Sequence, residues 1–327
     1  MKKVLIIRFS SIGDIVLTTP VIRCIKKQVP DVTLHYLTKA KFKSVLEQNP
    51  YIDKIITIDK DVDEVLSMLK NEHYDFIVDL HNNLRSWRTV LTLHCSSQTF
   101  NKINFRKWLR VNVGWNYLPA IHIVDRYMAA ARSLGVTNDG AGLDYFLDPD
   151  KEDTSLSLPE AFRNGYLAIV TGGQHKTKIY PPEQLIEFCK LYGQPVVLLG
   201  GPEDAAAGER IALECGSNVY NGCGKYSLME SSWLLKMSTQ VITNDTGLMH
   251  IAAALEKNII SIWGNTIPEF GMTPYLPANS YSSSQLLEVK GLRCRPCSKI
   301  GFKQCPKGHF KCMKQIQPQV LLDAVKE

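Results

Sequence analysis

The 327-residue sequence predicts an α/β protein of two similar halves, each a parallel sheet covered by helices. Three observations predict it. Strand and helix signals alternate with short connections on both sides of a polar, proline-punctuated break. One strand–turn–helix opens the chain: Val4-Leu5-Ile6-Ile7, then Arg8-Phe9-Ser10-Ser11-Ile12-Gly13-Asp14, then Ile15-Val16-Leu17. A second joins the run Gln240-Val241-Ile242 to the turn Thr243-Asn244-Asp245-Thr246-Gly247-Leu248-Met249-His250 and the helical Ile251-Ala252-Ala253-Ala254-Leu255.

In the first half, Val32 to Leu37, Lys54 to Ile58 and Tyr74 to Leu80 read as strands. Lys41 to Gln48 and Asp61 to Glu72 read as helices with charged outer faces, and Asp59 is a cap candidate for the second. The rhythm breaks between Leu143 and Pro159, where Asp148-Pro149-Asp150-Lys151-Glu152-Asp153 reads as a linker. This divides the chain into domains at 1–155 and 156–327. In the second half Tyr166 to Val170, Pro195 to Leu199, Gln240 to Thr243 and Ile259 to Trp263 are strands. Pro182 to Tyr192, Ala205 to Cys215 and Leu228 to Met237 are helices. Two halves of one βα rhythm imply two Rossmann-like domains with a cleft between them and ligands at the C-terminal ends of the strands.

Charged residues make up 21% and apolar ones 45%, a soluble globular balance. The net charge of +6 fits anionic small ligands or an anionic membrane surface better than a dedicated nucleic-acid binder. The excess is local. Lys290 to Lys314 holds eight Lys/Arg and no Asp/Glu, and Lys102, Arg106, Lys107 and Arg110 form a smaller cluster. Arg8, Ser10 and Asp14 interrupt any signal-peptide core, and no run approaches the ~20 apolar residues of a membrane span. A cytosolic protein is expected. Of nine cysteines, Cys24, Cys95, Cys189, Cys215 and Cys223 are scattered and read as small apolar core residues.

The turn after Ile242 is suited to phosphate. Asp245 and Thr246 are N-cap types, Gly247 allows close backbone approach, and a helix start offers unpaired N–H groups with partial positive charge. His250 reads either as a phosphate contact or as a buried histidine. Asp14 reads either as a helix cap or as a general base activating a hydroxyl. The loop Gly172-Gly173-Gln174-His175-Lys176-Thr177-Lys178 could grip a diphosphate through its lysines or be a solvated loop. No G-x-G-x-x-G and no P-loop occurs, which argues against nicotinamide dehydrogenases and P-loop kinases.

Taken together, these motifs resemble glycosyltransferase family 9, the ADP-heptose:lipopolysaccharide heptosyltransferases, over nearly the full length. R-F-S-S-I-G-D-I-V-L-T-T-P is similar to the family's N-terminal signature, with Asp14 in the place of its proposed base. D-T-G-x-x-H-x-A-A-A-L at Asp245 to Leu255 resembles the donor diphosphate turn. Lys178 with Tyr180-Pro181 resembles a K-x-W-P element, with Tyr for Trp. Asp79-Leu80-His81 with Asn83-Leu84-Arg85-Ser86 resembles an acceptor-side segment, and His122 to Tyr127 an H-x-x-x-R-Y helix start.

The resemblance implies a GT-B fold, two Rossmann-like α/β domains facing across a cleft. It implies inverting, metal-independent transfer of a heptose or related sugar from ADP-heptose to the lipopolysaccharide inner core. In that reading Asp14 is catalytic, and Lys178, Asp245, Thr246, Gly247, Leu248 and His250 bind the donor. Ser10, Ser11, Gly13 and Arg85 face the acceptor, so the first domain carries the acceptor and the second the nucleotide sugar. No cofactor is required and no nucleic acid is expected. The partners are a nucleotide sugar and a lipid A-core type acceptor at the inner membrane face, and the protein is expected to be a monomer. The D-x-D spacings at Asp59-Lys60-Asp61 and Asp148-Pro149-Asp150 fall in cap and linker and receive no metal role. Beyond Ser227-Leu228, where some members carry a ribose-binding Glu, Met229 precedes Glu230, so that role is not carried over. Two other classes stay open: a nucleotide-sugar epimerase or hydrolase, and a non-catalytic nucleotide-sugar-binding protein.

The remaining cysteines read Cys294-x₂-Cys297-x₇-Cys305-x₆-Cys312, with His309 nearby. Such a set could make a four-thiolate structural zinc site. The later pair lacks C-x-x-C spacing, and packed thiols are the alternative.

Overall fold

A computed structural model describes residues 2–326. The first sheet contains β1 (Lys2–Ile7), β2 (Val32–Lys39), β3 (Lys54–Ile58), β4 (Phe76–Asp79) and β5 (Ser96–Thr99). Its order is β3-β2-β1-β4-β5, all parallel, with Val4 opposite both Leu34 and Phe76. Helices α1 (Ile12–Val16), α2 (Thr19–Gln28), α3 (Leu66–Asn71) and α4 (Leu84–Leu93) connect these strands, followed by α5 (Asn104–Asn112) and α6 (Ile123–Met128). A strand covered on both faces should be apolar throughout, and Val4, Leu5, Ile6 and Ile7 are all fully buried. Each such side chain contributes roughly 1.5–3 kcal/mol by leaving water.

The second sheet contains β6 (Leu167–Val170), β7 (Val196–Leu199), β8 (Val219–Asn221), β9 (Gln240–Asn244), β10 (Ile259–Trp263) and β11 (Ser284–Glu288). Its order is β11-β10-β9-β6-β7-β8, again all parallel. Its helices are α7 (Pro182–Tyr192), α8 (Ala205–Cys215), α9 (Leu228–Met237), α10 (Gly247–Ala254), α11 (Lys311–Lys314) and α12 (Pro318–Lys326). Phe188 of α7 and Leu321 and Leu322 of α12 share one core with Ile169, Leu198 and Ile260 of the strands. Two compact units result. One is built from residues up to Lys102 with Ile121–Phe146 and Pro277–Asn279. The other comprises Ile103–Ala120, Leu147–Leu276 and the chain from Ser280 onward. Among the described residues no helix is long and apolar enough to cross a membrane.

Three expectations need correction. The helix expected at Lys41 to Gln48 is a 3-10 turn, Ala40–Val45. Only Val45 and Leu46 bury there, too little apolar surface to anchor further turns. The helix expected over Asp61 to Glu72 divides into a 3-10 turn, Val62–Glu64, and α3. Val65 between them has φ −125°, outside the helical range. Its cap is Asp61, not Asp59. Glu64 turns back to accept the backbone N–H groups of Asp59, Lys60 and Asp61 at 2.8–2.9 Å. The proposed linker also has structure, since Pro149–Ser157 forms a 3-10 helix. Trp233 of α9 donates Nε1–H to the Asp148 carbonyl at 2.8 Å.

One buried ion cluster locks α2. Arg23, 3% exposed along its side chain, pairs with Asp139 at 2.7 Å and with Asp144, and donates to the Gly142 carbonyl at 2.9 Å. Hydrogen bonding from Arg23 outweighs burial and holds the Asp139 carboxyl at about 2. Asp144 is pushed the other way, because desolvation exceeds the effect of the same arginine. The Asp139 contribution is therefore complete above the ordinary carboxylate value and fades as pH falls toward 2. Arg23→Ala is expected to destabilise by about 3–5 kcal/mol, because two carboxylates lose their partner. Urea unfolding at neutral pH measures this, and an unchanged midpoint would refute it.

Candidate active site

The first unit presents a carboxylate at the mouth of β1. Chain polarity places Arg8 just past the strand, and its guanidinium is buried. It donates from Nη1 to the Leu80 carbonyl at 2.6 Å and from Nε to the Ser10 carbonyl at 2.7 Å. Nη2 lies 2.8 Å from Asp14 Oδ1, and the Tyr127 ring sits 5.7 Å from the guanidinium carbon. Burial opposes the charge on Arg8, but Asp14, Tyr127 and Tyr36 more than offset it and raise its pKa. Asp14 occupies the third position of α1. Ser11, at the N-cap, donates its hydroxyl to Asp14 Oδ2 at 2.9 Å and its N–H at 3.3 Å. Asp14 is thus part of a capping box rather than the cap itself, and its side chain keeps 24% exposure, enough to meet a substrate. Gly13 is buried, Ser10 half-buried and Ser11 exposed.

His81, just past β4, packs edge-on against Phe9 with centroids 5.0 Å apart. Burial, then the charges of Arg8 and Lys102, drive its pKa down to about 3, so its imidazole is neutral at physiological pH. Asp79 is scaffold: it accepts from the N–H groups of His81 and Asn82 and the Ser86 hydroxyl at 2.7–2.9 Å. Arg85 is half-exposed and lies 3.6 Å from Asp61, while Arg88 pairs with Asp63 at 2.7 Å. These contacts occupy Asp61-Val62-Asp63, a D-x-D triplet the sequence reading passed over.

The second unit gathers its polar groups where β6, β9 and β10 end. Asn244 is buried and structural. It accepts from the Tyr180 N–H at 3.1 Å and donates to the Val170 carbonyl at 3.2 Å, tying the Gly-rich loop to β9. Lys178 ends the 3-10 turn Lys176–Lys178 and meets Asp245 Oδ2 at 2.5 Å; the same oxygen accepts from the Thr266 hydroxyl at 3.0 Å. Asp245 thus turns its carboxylate to Lys178 and Thr266 instead of capping α10. Thr246 takes the N-cap position with extended backbone and no side-chain cap bond. Gly247 and Leu248, half-buried, open α10 and leave a helix start for an anion. His250 is buried one turn further on. Gly172 lies so tight that an added Cβ would stand 2.2 Å from Asp204 Oδ2.

Three features here escaped sequence reasoning. Thr266 orients Asp245. Asn265 is 1% exposed, with both amide atoms lacking a partner among the described residues. Polar residues directly after the apolar run Ile259 to Trp263 were the available signal. Tyr180, in the Trp position of the resembled element, is buried in the core and donates its hydroxyl to the Ile316 carbonyl at 2.6 Å. Glu230 sits in a capping box, accepting the Ser227 N–H at 2.8 Å.

The Cys-rich segment braces this site. Phe302 and Thr177 exchange hydrogen bonds at 2.8–3.2 Å, and Arg295 donates to the Gly264 carbonyl at 2.6 Å and the Thr266 carbonyl at 2.9 Å. The four thiols are free; Cys312 is buried in the second core, and Cys294 Sγ lies 3.7 Å from His309 Nε2. Among the described residues no three His, Cys, Asp or Glu side chains are placed to hold a metal ion.

Known proteins share this fold. The family model of glycosyltransferase family 9 (heptosyltransferase) matches residues 64–301. Lipopolysaccharide heptosyltransferase 1 of Campylobacter coli is 26% identical over 356 aligned residues, covering 99% of this chain and 98% of that protein. A family 9 glycosyltransferase structure from Veillonella parvula DSM 2008 superposes with TM-score 0.77 at 21% identity, covering 99% and 96% of the two chains. The E. coli ADP-heptose lps heptosyltransferase II structure gives 0.74 at 19%, covering 100% and 98%. The fold is GT-B. With the family model covering well over half its length, the chain belongs to glycosyltransferase family 9, the heptosyltransferases.

Proposed function

We propose that this glycosyltransferase moves a heptose from ADP-heptose to the inner core of lipopolysaccharide, with inversion and without a catalytic metal. The observation that carries the reading is the Lys178–Asp245–Thr266 cluster beside the start of α10. A cation beside a helix N-terminus suits the negative charge of a leaving diphosphate, and this supports the reading. The acceptor hydroxyl oxygen attacks the anomeric carbon as the carbon–oxygen bond to ADP breaks from the opposite face. The hydroxyl proton passes to Asp14, and ADP departs with the bond's electron pair. Arg8 and Ser11 aim the carboxylate. Ser10, Ser11, Gly13 and Arg85 line the acceptor side, giving the first unit the acceptor and the second the donor. Thr246, Gly247 and Leu248 meet the diphosphate, with His250 behind them. Asn265 is a further donor contact, since a buried amide left unpaired costs ~1–3 kcal/mol and a ligand would satisfy it. The protein works as a monomer at the cytosolic face of the membrane.

The test is a donor panel of ADP-heptose, UDP- and GDP-sugars against lipid A-core acceptors, read by mass spectrometry. Product carrying one added heptose from ADP-heptose supports the reading. Donor consumption without acceptor would favour the epimerase or hydrolase, and binding without turnover the non-catalytic alternative. Transfer is also expected to survive EDTA, because protein groups hold the leaving diphosphate. Loss on chelation with recovery on Mg²⁺ or Mn²⁺, and circular dichroism unchanged throughout, would defeat the metal-independent assignment.

A further inference from the structure

We propose that the segment Ile103–Ala120 docks the protein on an anionic lipid bilayer, with α5 lying in the headgroup region. The inference deepens the lipid-linked acceptor proposed above and takes only the location from it. No residue of α5 is buried. Phe105 is 70% and Trp108 53% exposed, and their rings stack at 6.3 Å and 11°. Trp115 and Tyr117, also exposed, meet edge-on at 6.2 Å. Phe105, Leu109 and Tyr117 line one open apolar recess together with Arg106, so the aromatic surface is continuous. Interleaved are Arg106, Lys107 and Arg110, and positions 103–120 contain no Asp or Glu. Behind the helix, Arg110, Lys290, Arg293 and Arg295 line a cavity of about 470 Å³ against only Glu269 and Glu288.

Water is a poor neighbour for this surface, and the charges choose its partner. Trp and Tyr favour the membrane interface, where an apolar body and a polar edge are both satisfied. Cations beside them are attracted by anionic headgroups. A second copy fits worse, because a two-fold contact would set these cations against themselves. Helix α4 offers a comparison. Leu84, Trp87 and Leu91 are exposed along one stripe, but Arg85 and Arg88 face Asp61 and Asp63, which cancels the attraction to anionic lipid.

Co-sedimentation tests this with full-length protein and vesicles containing no lipopolysaccharide and no donor. Binding is expected to phosphatidylglycerol–phosphatidylethanolamine vesicles and not to phosphatidylcholine, with release at high salt. Phe105→Ser/Trp108→Ser and Arg106→Glu should each lower the partition coefficient by about tenfold or more. Both should keep the circular dichroism of the parent and its transfer rate on a delipidated acceptor. Trp87→Ser should bind as the parent does. Unchanged partition in both α5 variants, equal binding to neutral vesicles, or equal loss in Trp87→Ser would overturn the assignment. So would a parent dimer that the aromatic double variant splits. If no transfer is found in any protein, the proposed reaction fails while the vesicle result stands.

Discussion

Asp14→Asn is expected to lower kcat by about 10²–10⁴-fold, the usual contribution of a positioned general base. The amide keeps the volume of the carboxylate but cannot take the acceptor proton. Three donors converge on Asp14: Arg8 Nη2, the Ser11 hydroxyl and the Ser11 N–H. Asparagine can turn its one oxygen toward Arg8 or toward Ser11, but not both. Losing one such bond costs ~1 kcal/mol, a small fall in melting temperature, while ADP affinity should stay near that of the parent. Single-turnover measurements at saturating donor separate chemistry from binding. Parent-like turnover would leave Asp14 only its capping box.

Lys178→Ala is the second large effect, expected to lower kcat/KM by about 10²–10³-fold, the scale of removing one stabilising group from a leaving anion. Interpretation depends on Asp245. Its side chain is 11% exposed, and without Lys178 it keeps only the Thr266 hydroxyl among the partners described above. An unpaired carboxylate at the donor turn would also repel the diphosphate. Lys178→Ala/Asp245→Asn removes that repulsion. It should recover ADP binding relative to the single variant without recovering turnover. If the double variant regains parent activity, Lys178 serves only to neutralise Asp245.

Legibility in the sequence followed burial. Pro182 to Tyr192, Ala205 to Cys215 and Leu228 to Met237 match α7, α8 and α9, whose ends carry proline, glycine or a capping serine. The strands around β1 and β9 were plain because both faces are covered and the runs are apolar. β5, β8 and β11 were not read. Ser96 to Thr99 is exposed at an edge and owes its extended form to pairing with β4, with Asp79 opposite Thr99. The turns holding Asp14 and Lys178 were visible as motifs. What fixes them was not. Arg8 reaches Leu80, Asp245 reaches Thr266, and Tyr180 reaches Ile316, pairs set by folding and not by spacing.

The clasp between Thr177 and Phe302 joins segments that are translated far apart. The strands flanking Arg8, β1, β2 and β4, end by residue 79, and Leu80 and Tyr127, which meet its guanidinium, follow within the first half of the chain. The loop bearing Lys178 must wait. Its neighbours Arg295, Phe302 and Ile316 are translated more than a hundred residues later. In translation order the surroundings of the Asp14 turn are therefore complete well before those of the Lys178 loop, which closes only when the Cys-rich segment has been made.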